Sequence, residues 1–428
     1  MKHSIVFAAG GMLSVACLLS GCGLGGGTAS SDGSASDGEV TGEITFQTWN
    51  LKANYQDFFD GVIQAFEEEY PGTSVNWIDQ PAEGYADKLS ADAAAGTLPD
   101  VMDLDPGGAY PLAQAGLLMN VAEEDPEAQD LYLPSAWEAG DWTALGGTFG
   151  YPWYLSTGPS MFNTALFEQA GLDTSSLPQT YDDLFAQATE MAEAVGGQYA
   201  MLGQPPTIEE FGMYGVQLMN DDQTEFVFNN ADGVELVQHY IDLYESGGFL
   251  AESLSSDFTG VNESFQAGKI AYMPGSAYNV QALQENAPSV FENLQLAPLI
   301  TNEKPNMYVH LLGVSEQSEN KSTAKEFARW VSNAENQLGF AKVVNVFPST
   351  IGTIEDDFFT TSDGSANDEV RVTSAAQLAD AVAYQPGSFT DAMKSELRDQ
   401  IALAMLGKQS AQDALDAVVE YSNQRISG

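Results

Sequence analysis

Glu43-Ile-Thr-Phe-Gln-Thr48, Ser74-Val-Asn-Trp-Ile78 and Leu98-Pro-Asp-Val-Met-Asp-Leu-Asp105 are the three runs whose reading decides the fold. In the first, Ile44 and Phe46 alternate with polar residues, the period of a half-buried strand. Trp49-Asn50 closes it. Phe59, Val62, Phe66 and Tyr70 then recur at spacings of three and four and stop at Pro71-Gly72, as in an amphipathic helix. Tyr85 to Ala95 reads as a second helix, of small residues, ended by Gly96. Strand, helix, strand, helix, strand in this order predicts a mostly parallel sheet covered by helices, an α/β fold.

The rhythm continues downstream. Gly150-Tyr-Pro-Trp-Tyr-Leu155 and Ser160-Met-Phe-Asn163 read as strands, as do Lys269-Ile-Ala-Tyr-Met273 and Met307 to Val314. Thr180 with Asp183 has the form of a helix N-cap with its first-turn acid, and that helix runs to Gly196-Gly197. Ala231 to Ser246 is a further helix, and Lys321 to Val344 reads as one long amphipathic helix. Phe389 to Leu406 and Ser410 to Arg425 close the chain as two helices.

Upstream, an apolar run from Ile5 to Leu19 ends in Leu19-Ser20-Gly21-Cys22. The run is too short and too broken by Gly10-Gly11 for a stable span, and small residues precede a cysteine. It is read as a lipoprotein signal peptide over 1–21, with Cys22 acylated after cleavage; an ordinary secretory signal is the alternative. Residues 22–42 form the lipidated cysteine and a Gly/Ser-rich tether with a reach of roughly 25 Å. The chain is therefore expected on the outer face of a bacterial cell membrane. Cys17 and Cys22 are its two cysteines. The mature body then holds no thiol beyond the lipidated one, which excludes disulfides, thiolate metal sites and cysteine nucleophiles.

The formal charge is −47, from 14 basic and 61 acidic residues. Nucleic-acid binding is excluded, because phosphate needs clustered Lys and Arg. Adhesion to an anionic bilayer is disfavoured for the same reason. Pockets for anionic ligands recruit Arg or Lys, so a neutral, hydroxyl-rich ligand is the easier fit. Calcium is the other reading of the acidity, but Asp363-Gly-Ser-Ala-Asn367-Asp-Glu369 lacks the spacing of an EF-hand loop. No metal and no cofactor are expected.

Several segments together resemble the extracellular solute-binding proteins of carbohydrate ABC importers, the family that includes maltose-binding protein. Phe66-Glu-Glu-Glu-Tyr-Pro-Gly72 is similar to its first helix end, and Ala94-Ala-Gly96 with Leu98-Pro-Asp-Val101 to its next turn. Tyr85-Ala-Asp-Lys-Leu89, Ala113-Gln-Ala-Gly-Leu-Leu118, and Tyr151-Pro152 with Phe162-Asn163 follow in order. Gly313-Val-Ser315 and Ala324-Lys-Glu-Phe-Ala-Arg-Trp-Val331 resemble its last crossing. The resemblance implies a two-lobed periplasmic-binding-protein type II fold with discontinuous lobes, expected at 43–152 with 309–355 and at 153–308 with 356–428. It also implies a ligand cleft between the lobes, closure on binding, delivery to transmembrane permease subunits, and a monomer.

Sugars pair apolar faces with hydroxyl rims, so their sites need aromatic platforms beside carboxylates and amides. The loops where the resemblance places such groups hold Trp49, Asn50, Tyr85, Asp103, Asp105, Trp153, Tyr154, Glu209, Phe211, Tyr214, Tyr278 and His310. Two departures stand out. Gly275-Ser276 leads to Ala277 and Tyr278 where the family often has Trp, and Val309-His310-Leu311-Leu312 replaces a glycine-rich run with Trp.

The rival readings are an exported glycoside hydrolase, which needs a pair of carboxylates, and a binder of a non-sugar or calcium-bridged ligand. No Gly-x-Ser-x-Gly elbow is present. His239 and His310 are the only histidines of the mature body, too few for a His-Glu-x-x-His zinc site. A non-enzymatic receptor for a neutral mono- or oligosaccharide is the reading carried forward.

Overall fold

The computed structural model describes residues 38–426. The expected signal peptide, Cys22 and most of the expected tether lie outside the described residues. Eleven strands are described: β1 Gly42–Trp49, β2 Thr73–Gln80, β3 Val101–Leu104, β4 Asp141–Trp142, β5 Gly147–Thr148, β6 Tyr151–Ser156, β7 Ser160–Asn163, β8 Tyr272–Pro274, β9 Leu294–Ala297, β10 Tyr308–Val314 and β11 Phe347–Pro348.

A first sheet has the order β11-β6-β10-β3-β1-β2. The β1–β2 and β1–β3 pairs are parallel, as the strand–helix rhythm predicts. β10 returns from far along the chain and lies antiparallel to both β3 and β6. Helices Lys52–Glu69 and Lys321–Val331 cover one face, and Phe46, Phe59, Phe66, Phe327 and Trp153 interlock between them. A second, smaller sheet, β8-β7-β9, belongs to the other lobe, whose main core joins Phe162, Phe211, Tyr240, Phe389 and Ile401. Helices Tyr181–Val195 and Ala231–Glu245 pack there, the first held by a complete Thr180–Asp183 capping box. The four apolar clusters of the described residues all lie within residues 40–426.

Two expectations need correction. The lobe boundary expected at 152/153 falls inside β6, which stays in the first sheet through Ser156 by pairing with β10 and β11. The chain crosses at Thr157-Gly158-Pro159 instead. The single long helix expected over 321–344 is two, Lys321–Val331 and Ala334–Val343. Asn333 breaks it by capping the second, accepting from the Asn336 N–H at 2.8 Å. Two further crossings lie side by side, where Met307 N–H donates to the Val382 carbonyl and Val382 N–H to that of Pro305.

Candidate functional site

The C-terminal ends of β1 and β3, the middles of the long strands β6 and β10, and the start of the helix Tyr85–Ala95 bring five predicted residues into one cluster. His310 Nδ1 lies 2.8 Å from Asp103 Oδ1 and 2.8 Å from the Tyr154 hydroxyl. One ring nitrogen carries one proton, and the buried carboxylate is the stronger acceptor, so the N–H is assigned to Asp103. Trp49 packs on Tyr85 and on His310, each with ring centroids 5.3 Å apart. The Tyr85 hydroxyl donates to the Asp103 carbonyl oxygen at 2.8 Å.

Asp103 is fully buried and its Oδ2 has no hydrogen-bond partner. Burial lifts its carboxyl above the usual range, and His310 pulls the other way. Burial likewise pushes the Tyr85 and Tyr154 hydroxyls up, so both stay protonated. Trp49 and His310 keep part of their surface open, and the register shift beside His310 leaves Trp153 as an extra residue on β6.

Asp105 caps the helix Pro106–Gln114, accepting from the Gly108 N–H at 2.9 Å. Its other oxygen and the Gln385 amide converge on Gly107, where a methyl would lie 3.4 and 3.5 Å from them. Asn50 is exposed, with φ of 55°, and turns the chain away from β1.

The remaining predicted residues are dispersed. Trp153 is the extra residue where β6 bulges against β10 and is core, 1% exposed, stacked on Phe340 and edge-on to Phe46 and Phe59. Phe211 is wholly buried against Phe228 in the second lobe. Tyr214 packs on Tyr181 and His239, away from the first lobe, where burial and nearby acids raise its hydroxyl to about 12. Tyr278 is 71% exposed on the helix Ala277–Asn286. Glu209 is buried in the first turn of Ile208–Tyr214 and faces Tyr308 of β10.

A cavity of about 190 Å³ lies between the lobes. The first lobe contributes Tyr110 and Trp142 to it, the second Met219 and Gln223, and the crossing segment Tyr384 and Gln385. None of these six was singled out from the sequence. Trp142 sits in the β4–β5 hairpin, held by parallel stacking on Phe149 and by the edge of Tyr110. Tyr384 packs against the backbone of Gly212, where a methyl would meet its ring at 2.1 Å. An aromatic beside a Pro-Gly turn, as in Tyr384-Gln-Pro-Gly387, was the available signal. Glu138 and Asp141 are the charged residues that line the cavity, and no Lys or Arg among the described residues does.

No group of three or more His, Cys, Asp or Glu among the described residues is arranged for a metal ion. The acids at 363–369 serve the chain itself. Asp363 accepts from the Ser365 N–H, and Asp368 pairs with Arg371.

Residues 52–338 match the family of bacterial extracellular solute-binding proteins, and the chain belongs to that family. A binding protein of Brucella abortus (strain 2308) is 25% identical over 262 residues, 58% of this chain; the chain spans 61% of that relative's length. A Synechococcus sp. MITs9220 protein named as an oligosaccharide periplasmic-binding protein, solved in complex with zinc, superimposes with a TM-score of 0.78. It is 28% identical, over 90% of this chain and 99% of that one. The GacH receptor of Streptomyces glaucescens GLA.O, solved unliganded and with acarbose, matches in fold at a TM-score of 0.69 and 20% identity. That match covers 91% of this chain and 99% of the receptor. The two-lobed α/β architecture is that of these extracytoplasmic receptors.

Proposed function

We propose that this member of the family is a lipid-anchored, non-enzymatic receptor that takes a neutral saccharide between its lobes and delivers it to the permease of an ABC importer. The observation that carries this reading is the make-up of the interlobe cavity. Tyr110, Trp142 and Tyr384 offer aromatic surface, and Gln385 and nearby acids offer hydrogen-bonding groups. Aromatic faces suit the apolar faces of a sugar ring, and amides and carboxylates suit its hydroxyl rim. The absence of a lining cation disfavours phosphorylated or carboxylated ligands.

The oligosaccharide and acarbose named for the solved relatives are of this neutral or hydroxyl-rich class and support the same choice. The Leu19-Ser20-Gly21-Cys22 run supports the anchor. A lipid at Cys22 would keep the body close to a membrane permease.

The test is thermal unfolding of residues 38–428 against maltose, maltotriose, cyclic maltooligosaccharides, acarbose and common monosaccharides, with calcium as a separate arm. A ligand present at a hundred times its dissociation constant adds about 2.7 kcal/mol, a shift of a few degrees. A saturable shift without consumption of the sugar supports the receptor. Turnover of the sugar, or a response to calcium alone, refutes it.

A further inference from the structure

We infer that the Gln223 turn and Gly387 form a latch that receives the Trp142-Thr143 tip of the first lobe and sets how long the cleft stays shut. The Thr143 N–H donates to Gln223 Oε1 at 3.1 Å, a direct bond from one lobe to the other. Thr143 opens a short 3-10 turn, so its N–H has no intrahelical partner and is free to be taken from across the gap.

Gln223 is held in place at a cost. Its φ is 56°, a left-handed conformation that a side chain other than glycine or asparagine seldom adopts. Asn220 secures it, accepting from the Thr224 and Glu225 N–H groups at 2.8 and 3.1 Å while its carbonyl takes the Gln223 N–H at 3.0 Å. The turn therefore fixes the backbone from which the Gln223 amide reaches Thr143.

Beside it, the Trp142 ring lies on the backbone of Gly387. A methyl built there would sit 2.8 Å from Trp142 Nε1 and 2.9 Å from Cε2. The ring cannot yield, because Phe149 and Tyr110 fix it from behind. Both halves of the notch belong to one body. Phe226 and Phe389 meet with centroids 5.3 Å apart, so the turn and the glycine segment move together.

Gln223 and Gly387 are thus positioning residues for ligand retention. They act on closure, and the sugar's own contacts are made elsewhere in the cavity. The inference rests on the receptor reading for its ligand arm only.

The experiment uses residues 38–428 as wild type, Gln223→Gly and Gly387→Ala. Gln223→Gly suits the left-handed turn and removes the side chain that accepts from Thr143; Gly387→Ala adds the obstructing methyl. Deuterium exchange is read at the Thr143 amide, with Leu312 in the first sheet as reference. Spin labels at Glu127→Cys and Glu245→Cys report the separation of the lobes. Both variants should expose the Thr143 amide and widen the separation, while Leu312 stays protected. With any saccharide from the panel that binds, the off-rate should rise about two- to tenfold, the loss of one hydrogen bond, with little change in the on-rate. Unchanged Thr143 exchange and lobe separation in Gln223→Gly overturn the latch, whether or not a sugar binds. If Gly387→Ala loses its fold, Gln223→Gly alone decides.

Discussion

The Tyr154 ring lies nearly flat on the His310 imidazole, with centroids 4.2 Å apart and planes 16° from parallel. Asp103 meets the same imidazole at Nδ1 from the neighbouring strand, with its side chain fully buried. Removing the imidazole leaves that carboxyl without its partner in a dry setting. His310→Ala should cost about 1.5–3 kcal/mol, the range for hydrogen bonds to charged groups. The double variant with Asp103→Ala should cost less than the sum of the singles, because the orphaned group is gone. Urea unfolding of the four proteins measures the difference; additive costs would mean the pair is not coupled.

Trp142 and Trp153 should separate binding from folding. Trp153→Ala empties the centre of the first core and should lose about 3–5 kcal/mol of stability. Trp142→Ala removes an aromatic wall of the cavity and should weaken saccharide binding by about 1–3 kcal/mol. Calorimetric titration beside unfolding curves distinguishes them. Equal effects of the two variants on affinity would move the site away from the interlobe cavity.

Much of the fold was legible because it rests on period. The alternation in Glu43–Thr48, the spacing of Phe59, Val62 and Phe66, and the Thr180–Asp183 cap each carry their own structure. The site was legible only in part because sequence shows period and not phase. Trp153 is the extra residue of a bulge on β6, which breaks the alternation so that it and Tyr154 join one apolar cluster, and nothing in Pro152-Trp-Tyr-Leu155 announces the bulge. Trp142 and Tyr384 escaped notice for another reason. Their cavity forms where segments distant in the chain meet, and neither hairpin nor Pro-Gly turn announces its partner. The break at Ser332-Asn333 was missed because the apolar spacing runs on across it.

Glu210 gives the fold a pH dependence of definite sign. It is buried at the third position of Ile208–Tyr214, accepting from the Thr207 N–H at 2.7 Å, and burial raises its carboxyl to about 7. Glu209, Tyr181, Tyr240, Tyr272 and Tyr308 face it, and no cation is among them. The folded value lies above the unfolded one, near 4.5. Its contribution is therefore complete below about pH 4.5 and is lost as pH rises through 7. The loss is on the order of 3 kcal/mol. Glu210→Gln keeps an acceptor for the cap and should flatten this part of the profile between pH 5 and 8. Unfolding free energies of both proteins across that range measure it; parallel profiles would assign the slope elsewhere.

Two glycines should respond to alanine with opposite signs. Gly158 lies where the chain leaves the first sheet, and its backbone is pressed against that of Gly275 at the end of β8. A methyl on Gly158 would fall 1.5 Å from the Gly275 carbonyl oxygen, which is backbone and cannot rotate aside. The contact is drawn tight by the Gly275 N–H, which donates to the Pro159 carbonyl at 3.0 Å. Gly158→Ala must separate the crossing segment from the second lobe's sheet and should cost about 1–3 kcal/mol or more. Gly61 is the contrasting case, exposed within the helix Lys52–Glu69 with nothing within 4 Å of a new methyl. There alanine removes only the entropic penalty of glycine in a helix and should add about 0.5–1 kcal/mol. Urea midpoints at constant m-value test both, and a Gly158→Ala protein as stable as wild type would show that the two backbones are not held in contact.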